Sequence, residues 1–240
     1  MDNKSKRDNR KGEKNIMKLG DYLWGGLLLL WAIILIVPGT RDIFMSITEA
    51  YPYISGFFKF FILATMGDML GARVLNGQWK RTKGLIFKAA IWGIIGIMIT
   101  LAFTLYSEGV AAAQSIGRLP LQGSKFGHAF FTSATMNITF APFMFLFHKF
   151  ADAYIDAKYR GEGKVTINQL IDEVDFNTLI GFSMLKTIPF FWIPCHTVVF
   201  LMPPQYRVIA SAFLSIALGL MMAIAKKSQG TTLKNQEVLE

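Results

Sequence analysis

Apolar residues run along this chain in six long blocks, with polar and charged residues gathered between them and at both ends. The blocks cover 22–37, 51–70, 85–106, 128–147, 178–202 and 207–225. An α-helix needs about 20 mostly apolar residues to cross a hydrocarbon core of roughly 30 Å, so five blocks are of crossing length. The first, with 16 residues, is short and reads either as a crossing or as a helix lying in the interface. Trp24 and Trp31 would anchor it at the headgroups in either case. The pattern predicts an all-α fold, a polytopic membrane helix bundle of five to six transmembrane helices. A basic tail over 1–20 and a polar tail over 227–240 flank a single transmembrane domain over 21–226.

Composition supports lipid rather than water as the solvent. Hydrophobic residues make up 52% of the chain and charged residues 17%, and there are 21 phenylalanines. Soluble domains carry about 25% charged residues. The formal charge of +9 would suit nucleic acid if it formed one face, but its placement follows membrane topology instead. With six crossings, 18 Lys and Arg fall on the side of the two termini and 4 on the other (Arg41, Arg118, Lys125, Arg207). Lys59, Lys88 and Lys186 lie within the blocks and complete the total of 25. This asymmetry predicts cytoplasmic termini.

The N-terminal tail includes Asp2, Asp8 and Glu13, unlike the acid-poor presequences of mitochondrial proteins, and no small-residue cleavage site follows the first apolar block. A Lys-rich tail of this kind favours a bacterial plasma membrane over an organelle membrane. The lipid bilayer is the expected partner, self-association is left open, and nucleic acid is not expected.

Polar residues inside the blocks are the candidates for function, because an ionised side chain at mid-bilayer costs about 2.5–3.5 kcal/mol on insertion scales. Lys88 is close enough to a block end to snorkel. Lys59 and Lys186 each lie eight residues beyond a block start, roughly 12 Å deep at 1.5 Å per residue. Each could snorkel or face inward. Asp68 is too short to snorkel. It reads as an interfacial ion pair, with Arg73 nearby, or as a carboxylate lining or gating a passage.

Gly67 and Gly71 have the GxxxG spacing that lets another helix approach, which would press Asp68 against a neighbour. His196 follows Pro194 by two residues. It could satisfy carbonyls that Pro189 and Pro194 leave without donors, as could Thr197 or Trp192, or it could line a polar cavity. Asn137 and Thr139, just before Pro142, admit the same two readings. No phosphate loop, nucleophile context or zinc-protease motif is present, so no enzyme activity and no catalytic residue is expected. Cys195 stands alone and the three histidines are far apart in sequence, so neither a metal site nor a cofactor is expected.

The stretch "MPPQYRVI", with Pro203, Tyr206 and Arg207, resembles the closing turn of the Mpv-seventeen / twenty-two-kilodalton peroxisomal membrane protein family, with Met202 in place of the usual Val. "YPYISGFFKFFILATMGDMLGARV" is similar to that family's first segment, Gly67 and Asp68 falling on its Gly-Asp. "KRTKG" at 80–84, Tyr106 and "FAP" at 140–142 follow in family order, so the resemblance spans about 50–226. Val198 and Val199 replace the family's Asn-Phe, and the block at 22–37 is an addition. The resemblance implies a small polytopic membrane protein, some members of the family being described as pore-forming.

Physically, Pro203 and Pro204 would end one helix, Tyr206 would sit in the interfacial belt, and Arg207 could reach phosphates or the carbonyls that close the preceding helix. The leading expectation is a channel-like pore for ions or small solutes, with Asp68, Lys186, His196 and Asn137 as pore or cavity candidates. The alternatives are a ligand-binding subunit of a multi-component transporter and a membrane scaffold without transport.

Overall fold

A backbone group left without a partner in lipid costs several kcal/mol, so each apolar block must close its hydrogen bonds within itself, and each becomes a helix. The computed structural model describes residues 3–79 and 82–237, with side chains described over 19–79 and 82–224. The basic tail as far as residue 18, Lys80 and Arg81, and the polar tail over 227–240 lie outside the described side chains.

The described chain forms eight helices, α1 (Asn3–Ile36), α2 (Pro38–Ala50), α3 (Pro52–Asn76), α4 (Leu85–Ser115), α5 (Lys125–Tyr159), α6 (Ile167–Glu173), α7 (Asn177–Leu201) and α8 (Pro204–Glu237). Six contain segments long and apolar enough to cross a membrane: Leu19–Ile36 of α1, all of α3, α4, α5 and α7, and Pro204–Ile224 of α8. The chain is therefore a multi-pass membrane protein with an all-α fold. The first of these segments is two residues longer than the hydropathy block, at 18 residues. Helix α5 has 35 residues, or about 52 Å at 1.5 Å per residue. It outruns the hydrocarbon core because its polar end turns stay helical in water.

Packing divides the chain into two units. The first holds residues 1–50, 66–81 and 216–240. In it Trp24 Nε1 donates to the Met66 carbonyl at 3.0 Å. Asp21 accepts from Trp79 Nε1 at 2.7 Å and from Arg73 Nε at 3.2 Å. Gly67 and Gly71 of α3 meet the backbone of Gly219 on α8. A Cβ on Gly219 would lie 2.4 Å from the Gly67 carbonyl oxygen.

The second unit holds residues 51–65 and 82–215. Here α3 and α4 cross at Gly56 and Gly96, where a Cβ on Gly96 would lie 2.3 Å from the Gly56 carbonyl oxygen. Lys88 Nζ reaches both carboxylate oxygens of Asp156 at 2.8–2.9 Å, tying α4 to the far end of α5.

Helix α7 changes its winding. Asn177–Trp192 is π-wound and Ile193–Leu201 is α-wound. The Ile193 N–H closes the π-wound part on the Ile188 carbonyl, five residues back. Pro194 falls in the first turn of the α-wound piece. A helix start has spare N–H groups, so the missing donor costs nothing there. A π-wound stretch of this length is unusual, as most are single-turn bulges and many of those mark functional sites.

The short α6 begins with a capping box. Thr166 Oγ1 accepts from the Gln169 N–H, and Gln169 Oε1 accepts from the Thr166 N–H. It lays Leu170 into a cluster with Ala153, Val174 and Leu179. Beyond it, Arg160 pairs with Glu162 and Glu173, and the hydrogen bond it donates to the Glu162 carboxylate raises its pKa above the ordinary arginine value. Thr166→Ala is expected to cost about 1 kcal/mol of local stability. Faster amide exchange confined to α6 would register it, and unchanged exchange there would show that the box carries no weight.

Candidate functional site

The middle of the second unit holds a chain of buried polar side chains. Asn137 sits on the inner face of α5, four residues after Ser133, so helical spacing puts both on one face. Ser133 and Asn137 are almost fully buried, at 0% and 1% exposure. Ser133 Oγ donates to the Ile193 carbonyl on α7 at 2.8 Å. Asn137 Nδ2 donates to the Ser133 carbonyl at 2.8 Å.

Across the gap, the amide of Asn137 faces His196 Nδ1, with Nδ2 at 3.1 Å and Oδ1 at 3.2 Å. His196 Nε2 meets Ser211 Oγ on α8 at 3.0 Å. Four side chains thus join α5, α7 and α8 into one network. A neutral imidazole has one donor and one acceptor nitrogen. If Nδ1 carries the proton it donates to Asn137 Oδ1, and Nε2 accepts from Ser211. If Nε2 carries it, Nδ1 accepts from Asn137 Nδ2 and Ser211 accepts from Nε2–H. The network is satisfied in either tautomer.

Two rings hold the imidazole plane. Trp192 stacks on His196 at 5.1 Å between centroids, and Phe103 of α4 meets it edge-on at 5.7 Å. The switch of winding at Ile193 lies between Trp192 and His196. Beside the network, Trp192 Nε1 and Thr132 Oγ1 are buried without a hydrogen-bond partner among the described residues. A donor left so inside lipid normally costs free energy, and Thr65 Oγ1 in the same unit is buried without a partner as well.

A second polar feature opens at the end of this unit where α4 stops and α5 begins. A cavity of about 600 Å³ lies between the ends of α4 and α7 and the starts of α5 and α8. Gln114, Gln122, Lys125, His128 and Arg207 line it, together with Phe200 and the Pro203–Pro204 turn. Its rim is braced, as Gln114 Nε2 donates to the carbonyls of Pro120 at 3.1 Å and Leu121 at 3.2 Å. His128 Nε2 lies 3.1 Å from Ser107 Oγ. Arg207 Nε donates to the Met202 carbonyl at 3.0 Å, and its guanidinium lies over the Phe200 ring at 5.5 Å. Tyr206 is half-buried and Pro203 exposed on the same turn.

The four sequence candidates part company. Asn137 and His196 meet in the buried network. Lys186 is exposed on the π-wound part of α7, whereas Lys59, at the same depth from its block start, is 1% exposed. Asp68 belongs to the first unit and is exposed. Gly67 and Gly71 make the close approach that their spacing suggests, but to Gly219, and the crossing leaves the carboxylate outside it. Arg73, the near cation in sequence, pairs with Asp21 instead. Thr197 Oγ1 bonds the Ile193 carbonyl at 2.7 Å, while His196 turns to side chains rather than to carbonyls.

Ser133 and Ser211, which complete the network, were not among the residues that the sequence singled out. The four-residue spacing from Ser133 to Asn137 was a usable signal, but nothing local points to Ser211. Among the described residues no group of three or more His, Cys, Asp or Glu could hold a metal ion. No family model matches the chain, no curated protein matches it, and no solved structure matches it.

Proposed function

We propose that this membrane protein is a channel-like pore for small polar solutes, with the passage running through the second unit past Asn137 and His196. The observation that carries the reading is the pair of unmatched polar atoms, Trp192 Nε1 and Thr132 Oγ1, beside a buried hydrogen-bonded network in a lipid-spanning bundle. Polar groups at membrane depth are expensive and tend to face water-filled paths or partners. A passage that admits water or a polar solute would meet both atoms.

The cavity at the end of the unit would be its mouth, on the side opposite the termini. The positive-inside asymmetry supports that side as the outer face with both termini cytoplasmic, and the Lys-rich tail supports a bacterial plasma membrane as the host. The motif order resembling the Mpv-seventeen family agrees with a pore.

Single-channel recording of the purified full chain in a planar bilayer tests this, alongside Asn137→Leu and Asp68→Asn. Discrete openings are expected from the unaltered protein, with conductance cut at least severalfold in Asn137→Leu. A silent bilayer from folded protein would remove the pore. Conductance that responds to Asp68→Asn and not to Asn137→Leu would move the passage to the first unit and overturn the route proposed here.

A further inference from the structure

We infer that the cavity between the ends of α4 and α7 and the starts of α5 and α8 is an oxyanion-binding site, taking a phosphate or carboxylate group through Arg207 and Lys125. This deepens the pore reading by naming the chemistry of what enters, and it rests on that reading only for the solute's onward route.

The lining argues for a negative ligand. Arg207, Lys125 and His128 contribute two fixed positive charges and one imidazole, and no carboxylate lines the cavity among the described residues. Of the four Lys and Arg assigned to this side of the membrane, two face this one cavity. A topology that keeps basic residues off this side would not gather half of them in one place without a use for them.

Arg207 is also prepared for bidentate contact. Its Nε is engaged by the Met202 carbonyl and its plane rests on Phe200, which fixes the guanidinium. Among the described residues that is its only hydrogen bond, so its two Nη groups remain available to an acceptor. A fixed guanidinium fork matches the two oxygens of a carboxylate or phosphate, whereas a lysine acts as a mobile point charge. Gln114 and Gln122 hold the rim through their own hydrogen bonds, so the cavity is built before any ligand arrives. Its volume, about 600 Å³, is within the roughly 300–1,000 Å³ usual for small-molecule sites.

Glu108 supplies an internal control. It lies within electrostatic reach of both Arg207 and His128 but is not part of the lining. Its carboxylate therefore offsets part of the positive field from outside the cavity, and removing it should strengthen anion binding.

The oxyanion could come from solution or from a lipid headgroup, since the cavity lies at the ends of four apolar helices. Isothermal titration calorimetry of the full chain in phosphatidylcholine nanodiscs, with inorganic phosphate and succinate as probes at constant ionic strength, tests the first source. Saturable binding is expected, about tenfold or more weaker in Arg207→Gln. Arg207→Lys should recover part of the loss, and Glu108→Gln should bind more tightly than the unaltered protein.

For the second source, discs containing phosphatidylglycerol are compared with neutral discs. Weaker probe binding in the anionic discs, together with phosphatidylglycerol retained on purification by the unaltered protein but not by Arg207→Gln, would assign the site to a headgroup. No saturable binding of either probe and no retained anionic lipid would overturn the proposal. So would binding that is the same in folded Arg207→Gln. Binding without conductance would leave this site standing and remove the pore, and conductance without binding would do the reverse.

Discussion

Gly96→Leu is expected to destabilise the second unit by about 3 kcal/mol or more, at the upper end of overpacking costs. The reason is the identity of the neighbour. A side chain facing another side chain can be accommodated by a rotamer change, but position 96 faces the backbone of α3. The first added carbon alone would come within 2.3 Å of the Gly56 carbonyl oxygen and 2.8 Å of Phe60 Cβ. Helices α3 and α4 would have to separate, undoing the contacts of Phe60, Leu63 and Ile95, all at most 2% exposed. Without a hydrophobic force between helices in lipid, close packing of this kind is a main source of cohesion. Gly109 on the same helix provides the comparison, since nothing lies within 4 Å of a Cβ there. Gly109→Ala should leave stability unchanged or raise it by up to about 1 kcal/mol through helix propensity. Unfolding of both variants in mixed detergent and denaturant measures the contrast, and equal midpoints would refute the close crossing.

Asn137→Leu is expected to cost about 2 kcal/mol, most of it from stranding what Asn137 now faces. His196 would keep Ser211 but lose its partner at Nδ1, inside a site walled by Trp192 and Phe103. A double-mutant cycle with His196→Leu isolates the pair. Interactions of this kind in membranes average about 0.6 kcal/mol and reach about 1.7. The two-ring enclosure, which keeps the pair from water, places it toward the upper figure. Strict additivity of the two substitutions would mean that the amide and imidazole do not interact, and the network drawn from their distances would fall. The same variant bears on conductance, so a stability loss without a change in conductance would mark the network as structural cement rather than part of a path.

Five of the six apolar helices were legible as crossings, and the first as a crossing or an interfacial helix, because these readings depend on local quantities. A run of apolar residues needs a solvent of its own kind, and its backbone then has to close on itself, wherever the rest of the chain goes. The helices outrun the hydropathy blocks at Ser107–Ser115 of α4 and after Phe147 in α5 because hydropathy sees the lipid and not the helix. Pro194 was legible as a disturbance but not as the point where π winding gives way to α winding, which depends on how a sixteen-residue stretch settles its hydrogen bonds.

Lys59 and Lys186 show where local reading stops. They are equally deep in their blocks and chemically identical, yet one is buried and the other exposed. Depth follows from position along a helix, whereas facing follows from which neighbours pack on which side. Asp68 and Arg73 are close in sequence and suggested a pair, but the partner of Arg73 is Asp21, 52 residues away. By itself the sequence determined the solvent, the helical class and five of the apolar segments of crossing length, because each is set within one helix length by hydropathy and backbone hydrogen bonding. Only the tertiary structure decided that Asn137 meets His196, that His196 meets Ser211, and that Arg207 and Lys125 share one cavity. Those pairings join different helices, and nothing within a single helix encodes which of its faces a distant helix will cover.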